Sequence, residues 1–263
     1  MKKPALIFCC LGVLAIVSCG GNSANKTAPV AFTPLNGNFS FRATSQALAP
    51  NVIFIGGPLQ TDANGQISGT LGVSNSVSNC IALGTTAMFT GSEGPQNQVM
   101  LTSAPINGQV ITLNTTVSSD GNFFNVGSYS VTGGCLAGDQ GSMQAQHLLT
   151  GIYAGSVLIN GNPINVTLNF TAPGNPDATG AFPLRAGGTF ANTSACGGFT
   201  ALSTEGGSQT GLNVGFTLAA GANPVVSFGG TTIDGSATML QGTMGISGGA
   251  CDQMSGTITL KKL

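Results

Sequence analysis

The chain has 263 residues, of which only 6% are charged: seven lysines and arginines stand against eight acids, with one histidine. An apolar content of 41% can fill a core, which excludes a disordered chain, and there is no basic patch to neutralise nucleic-acid phosphates. Serine, threonine, asparagine and 41 glycines supply most of the remainder, a composition that suits turns and pleated strands and suits helices badly.

Lys2 and Lys3 precede an apolar run over residues 5–17, shorter than the roughly 20 apolar residues that a bilayer-spanning helix needs. Residues 1–18 are therefore expected to be an export signal. The run ends Ile16-Val17-Ser18-Cys19-Gly20, which resembles the lipobox of bacterial lipoproteins. That resemblance covers this segment alone. It implies cleavage before Cys19, lipid attachment at Cys19 and an address in the bacterial cell envelope. Gly20 after the cysteine implies the outer membrane, by the family's sorting rule in enteric bacteria. Cleavage would remove Lys2 and Lys3 and leave five basic residues against eight acids, a formal −3, so membrane contact is expected through the lipid anchor. Cys9 and Cys10 lie in the apolar run and enter no disulfide count. Residues 19–34, aperiodic and rich in Gly, Asn and Ala, read as a flexible tether.

Two copies of one pattern follow, repeat 1 over residues 35–147 and repeat 2 over residues 148–263. Leu35-Asn36-Gly37-Asn38-Phe39 is matched by Leu149-Thr150-Gly151-Ile152-Tyr153, each with glycine two residues before an aromatic. Asp62-Ala63-Asn64-Gly65 is matched by Asp177-Ala178-Thr179-Gly180, with the Asp and Gly placement of type I turns. Gly69-Thr70-Leu71 pairs with Gly188-Thr189-Phe190, then Cys80 with Cys196, then the hairpin dipeptides Asp120-Gly121 and Asp234-Gly235. Gly127-Ser128-Tyr129-Ser130-Val131-Thr132-Gly133-Gly134-Cys135 is echoed by Gly242-Thr243-Met244-Gly245-Ile246-Ser247-Gly248-Gly249-Ala250-Cys251, and Asp139-Gln140 by Asp252-Gln253. Cys80 to Cys135 and Cys196 to Cys251 are both 55 residues apart, which favours these two pairings among the three possible. Each closes one repeat with a disulfide, as an exported protein allows.

Within the repeats the apolar period is two. Ile164-Asn165-Val166-Thr167-Leu168-Asn169-Phe170 alternates without a fault, as does Leu212-Asn213-Val214-Gly215-Phe216-Thr217-Leu218. Such alternation predicts antiparallel strands with one buried face. The fold class is therefore all-β: two tandem duplicated antiparallel domains, each an up-and-down barrel or a β-sandwich, with two separate bodies favoured over one larger fused body. The one stretch that could form a short helix is residues 144–149. A glycine two residues before an aromatic at the head of an eight-strand unit is similar to the opening motif of calycin barrels such as lipocalins, and implies a barrel. Phe39 and Tyr153 stand where that family uses tryptophan, and no late arginine is available to pack on the ring.

Catalytic candidates are few. His147, the only histidine, falls at the junction of the repeats and reads as a solvent-facing linker residue; no G-x-S-x-G elbow accompanies it. Asp62, Asp120, Asp177 and Asp234 all fit surface turns, without the Asp-Thr/Ser-Gly of aspartic proteases. No window concentrates acids as a calcium loop does, and no C-x₂-C pair suggests zinc. No cofactor or metal is expected. The outward strand positions carry Asn, Thr, Ser and Gln, a surface that could meet glycans or proteins. Two tyrosines and no tryptophan do not make the aromatic girdles of an integral outer-membrane barrel. The expectation is a non-enzymatic envelope lipoprotein with a structural or surface-interaction role. The alternative is a calycin-like module that binds a small apolar ligand.

Overall fold

The computed structural model describes residues 32, 35–46, 51–76, 80–121, 123–171, 175–179, 181–221, 224–233 and 237–263. Cys19, the export signal, nearly all of the tether and the Asp234-Gly235 dipeptide lie outside them.

Repeat 1 supplies eight strands: β1 (Asn36–Ser45), β2 (Val52–Thr61), β3 (Gln66–Asn75), β4 (Thr85–Glu93), β5 (Gln98–Ser103), β6 (Val110–Thr116), β7 (Phe123–Thr132) and β8 (Gln140–His147). Each pairs antiparallel with the next, and β8 returns to β1, so the sheet closes as a barrel. Repeat 2 supplies β9 (Gly151–Ile159), β10 (Asn162–Thr171), the two-residue β11 (Phe182–Pro183), β12 (Arg185–Ala191), β13 (Ala201–Thr210), β14 (Asn213–Ala219), β15 (Val225–Thr232), β16 (Met239–Ser247) and β17 (Met254–Lys262). Pairing of β13 with β14 and of β17 with β9 closes eight of them into a second barrel, with β11 lying against β13. Of the two sequence alternatives the barrel is the one observed. The disulfides are Cys80–Cys135 and Cys196–Cys251, one in each barrel.

Alternation explains the interiors. On β10, Ile164, Val166, Leu168 and Phe170 are buried while Asn165 and Asn169 are exposed. Each barrel has its own apolar cluster. In the first, Phe124 packs edge-on against Phe39 and tilted against Phe41, at centroid distances of 5.3 and 5.2 Å. In the second, Tyr153, Phe170, Phe216 and Phe228 form a chain of ring contacts of 5.0–5.5 Å. Burying each such ring is worth about 1.5–3 kcal/mol, so these clusters are the main apolar stabilisation of each barrel.

Residues 144–149 form no helix. Residues 144–147 belong to β8, where Met143 and Ala145 face the core and both strand edges are hydrogen-bonded, to β1 and to β7. One turn of helix could not compete with two completed ladders.

The expectation of two separate bodies also gives way: residues 32–263 cluster as one compact unit. The β13–β14 hairpin of the second barrel docks on the β1–β8 seam of the first. Gln209, fully buried, accepts from Leu149 N (3.0 Å) and donates from Nε2 to His147 O (3.2 Å). Ser40, also fully buried, donates to Gln209 O (3.1 Å) and accepts from Gly211 N (2.8 Å). Thr232 donates to Gln146 Oε1 (2.7 Å), and Gly84 N donates to Ala178 O (2.9 Å) at another point of contact.

Candidate functional site

The two disulfides occupy the same place in each barrel. Each ties the connection between the third and fourth strands of the ring to the turn before the last strand, with Cα–Cα distances of 5.9 Å in repeat 1 and 4.9 Å in repeat 2. Their surroundings differ. Cys196 and Cys251 are buried members of the apolar cluster, in short 3-10 turns, whereas Cys80 is half-buried and Cys135 exposed. The Gln109 side chain braces the outer pair, donating to Cys80 O (3.0 Å) and accepting from Leu136 N (3.2 Å).

His147 is not a solvent-facing linker residue. It closes β8 opposite Phe39, and its half-buried imidazole packs edge-on to the Phe39 ring at 5.1 Å, with Nδ1 3.3 Å from Leu148 O. The equivalent position in repeat 2 is Lys262, paired with Tyr153, whose Nζ lies 6.0 Å from the Tyr153 ring centroid. Thus each barrel sets a nitrogen-bearing side chain from its last strand against the aromatic of its first. The glycine two residues before the aromatic makes room for it. A Cβ on Gly37 (φ 131°) would lie 2.3 Å from His147 Nε2, and one on Gly151 (φ 96°) would lie 3.1 Å from Lys262 Cε. A search of the sequence for arginine alone misses this pairing.

The aspartates divide by burial. Asp62 Oδ1 accepts from Asn64 N and Gln66 N (both 2.8 Å), and Asp177 Oδ1 accepts from Thr179 N (2.8 Å) and Ala181 N (3.2 Å), as capped turns require. Asp120 is exposed at its turn beside Ser118. Asp139 is different, being only 2% exposed. Ser45 Oγ donates to its Oδ1 (2.6 Å), while Asn51 Nδ2 (2.8 Å) and the Tyr129 hydroxyl (3.1 Å) donate to Oδ2. Burial first, and next the adjacent Asp139 charge, push the Tyr129 phenol well above its ordinary value. The sequence twin Asp252 is exposed and caps its turn by accepting from Gly248 N (2.7 Å). The only sequence signal for the buried cluster is Tyr129 where repeat 2 has Met244. Chemically it is an anchor: three neutral donors converge on one carboxylate, and Asn51 Oδ1 is left buried without a partner among the described residues. Among the described residues no group of three or more His, Cys, Asp or Glu could hold a metal ion.

Two depressions open on the outer surfaces. One, of about 500 Å³, lies across β4–β6 and includes Ser92, Gln98, Met100, Asn114 and Thr116. The other, of about 720 Å³, lies beside the β13 bulge and includes Asn169, Arg185, Ser203 and Glu205. Among the described residues no helix is long and apolar enough to cross a membrane.

No family model and no curated protein matches the chain. Among solved structures, a protein of unknown function from the DUF3598 family of Nostoc punctiforme is similar at 11% identity, covering 87% of this chain and 96% of that one, with a TM-score of 0.27. A Myxococcus xanthus hemagglutinin in complex with a mannopentaose is similar at 14% identity, over 85% and 100% of the two chains, with a TM-score of 0.23. Kievitone hydratase from Nectria haematococca is similar at 8% identity, over 89% and 91%, with a TM-score of 0.21. Likenesses this low carry no argument about activity or ligand.

Proposed function

We propose that the protein is a non-enzymatic lipoprotein of the bacterial cell envelope, anchored through Cys19 at the outer membrane and serving a structural or surface-interaction role. The observation that carries this reading is the lipobox-like Ile16-Val17-Ser18-Cys19-Gly20 at the end of a short apolar run, ahead of a disulfide-closed body. Three features of the barrels support it. Buried aromatics lie in both interiors, and the depressions across β4–β6 and beside β13 open on the outer surfaces. The single histidine packs on Phe39 rather than against a serine or cysteine. Outward positions such as Thr90, Thr102, Thr217 and Ser227 are polar, which suits barrels held in water by a tethered lipid.

Expression of the full chain in a bacterial host fed an alkyne-bearing palmitate tests the anchor. Label is expected on the wild type and none on Cys19→Ser; an unlabelled wild type, or label surviving in the variant, overturns the anchor. A hydrolase activity of the purified chain that disappears in His147→Ala, with the fold intact, would overturn the non-enzymatic reading.

A further inference from the structure

The outer face of the first barrel carries two cross-strand rows with no formal charge. Strand register places Ser68 opposite Thr90, Thr90 opposite Thr102, Thr102 opposite Thr112, Thr112 opposite Ser130, and Ser130 opposite Gln140. One step along the strands, a second row runs through Ser92, Met100, Asn114, Ser128 and Ser142. None of these hydroxyl or amide side chains has a hydrogen-bond partner among the described residues. The depression of about 500 Å³ is sunk into this face, where Gln98 and Thr116 join the second row. Met88 and Met100 are exposed on the same face, offering polarizable apolar contact beside the hydroxyls.

The second barrel keeps part of this equipment and loses two of the depression's side chains. With Met244 set on Tyr129, the row Thr102, Thr112, Ser130 corresponds to Thr217, Ser227, Gly245. The row Met100, Asn114, Ser128 corresponds to Gly215, Gly229, Thr243. Met100 and Asn114 of the depression thus correspond to glycines in repeat 2, while Ser92, Gln98 and Thr116 correspond to Ser208, Asn213 and Thr231.

We propose that the β4–β6 face of the first barrel binds a neutral polysaccharide, with Gln98, Thr112 and Asn114 supplying hydrogen bonds and Met100 an apolar contact. Every polar group there is neutral, and hydroxyls and amides both donate and accept, so the face complements a polymer of uncharged hydroxyl-bearing units. Rows repeat at the strand spacing of roughly 4.8 Å, so a chain lying across several strands meets the same chemistry more than once. A polyanion would find no cation on the face, and a protein partner with charged rims would find no counter-charge.

This proposal rests on the surface-interaction reading and names its partner. Its test is native affinity electrophoresis of the full chain in detergent, through gels containing galactomannan, hydroxyethyl cellulose or alginate. Retardation is expected with at least one of the two neutral polymers and not with alginate. It should be unchanged between about 0.05 and 0.5 M salt, because no ion pair contributes. Asn114→Ala and Thr112→Val should each weaken binding about fivefold, the loss of one neutral hydrogen bond. Thr217→Val and Ser227→Ala, on the matching row of the second barrel, should leave it unchanged. Absence of retardation by both neutral polymers overturns the proposal. So do retardation of the Asn114→Ala and Thr112→Val variants equal to that of the wild type, salt-sensitive binding to alginate, or self-association abolished by Asn114→Ala. Cys19→Ser separates the two readings: retardation that persists without the acyl group supports the face whatever becomes of the anchor.

Discussion

Gly37 shows how one missing side chain is dictated by a residue 110 positions away. Its φ of 131° lies where L side chains are strained, and the space a Cβ would take belongs to the His147 imidazole. Gly37→Ala should therefore cost about 2 kcal/mol in chemical denaturation, from backbone strain and a displaced ring together. Gly151→Ala should cost less, about 1 kcal/mol, because the flexible end of Lys262 can move aside from 3.1 Å. Equal losses at the two sites would show that the ring contact adds nothing. Tyr129 makes the second residue-scale prediction. Its phenol is held neutral in the folded state while the unfolded chain releases the same proton near pH 10. Above that pH the native state binds more protons than the unfolded one. Stability present below pH 10 should thus fall as pH rises, by about 1.4 kcal/mol per unit for this group. Tyr129→Phe should be less stable at neutral pH, having lost the bond to Asp139, and should show a shallower decline between about pH 10 and 11.5. Parallel curves for the two proteins would rule out the linkage.

At the scale of the elements, the disulfides are a pair of nearly matched constraints in different settings. Both close a separation of 55 residues, so the chain-entropy contribution is the same, about 4 kcal/mol at most. Burial is not the same. Replacing Cys196 and Cys251 with alanine also opens the apolar cluster of the second barrel, whereas Cys135 is exposed and Cys80 half-buried. The Cys196→Ala/Cys251→Ala protein should lose more stability than Cys80→Ala/Cys135→Ala, by about 1–2 kcal/mol. Urea titration of each double variant under oxidising conditions measures the difference, and the reverse order would refute the packing argument. The strands themselves were legible because a one-residue slip would turn Ile164, Val166, Leu168 and Phe170 out of the core, leaving a single workable register. The short helix that residues 144–149 could have formed is absent because neighbouring strands, which no local pattern reveals, complete the hydrogen bonds of β8 on both sides.

For the whole molecule the question is whether two barrels unfold as one. Gln209 is buried at their junction, and its loss would strand the amide of Leu149, itself 1% exposed, without an acceptor. Gly211 (φ 58°) approaches the first barrel so closely that a Cβ would lie 2.8 Å from Arg42 Cβ. Wild type should therefore give one cooperative calorimetric transition, and Gln209→Ala combined with Gly211→Val should split it into two. A wild type that already shows two transitions would mean that the junction does not couple the barrels.

The sequence by itself determined the all-β class, the duplication and the pairing of the four cysteines within the repeats. Each of these is written locally or by spacing: a period of two, recurring turn dipeptides, and two equal separations of 55 residues. Only the tertiary structure decided barrel over sandwich, because closure depends on which strands meet at the ends of the ring. It also decided which aspartate is buried, since Asp139 and Asp252 share the Asp-Gln dipeptide and differ in what the fold brings to them. The same holds for His147, read as a linker from its place in the chain and found packed on Phe39 by the closing of β8 on β1. Long-range closure puts such residues together, and nothing within a few positions of them records it.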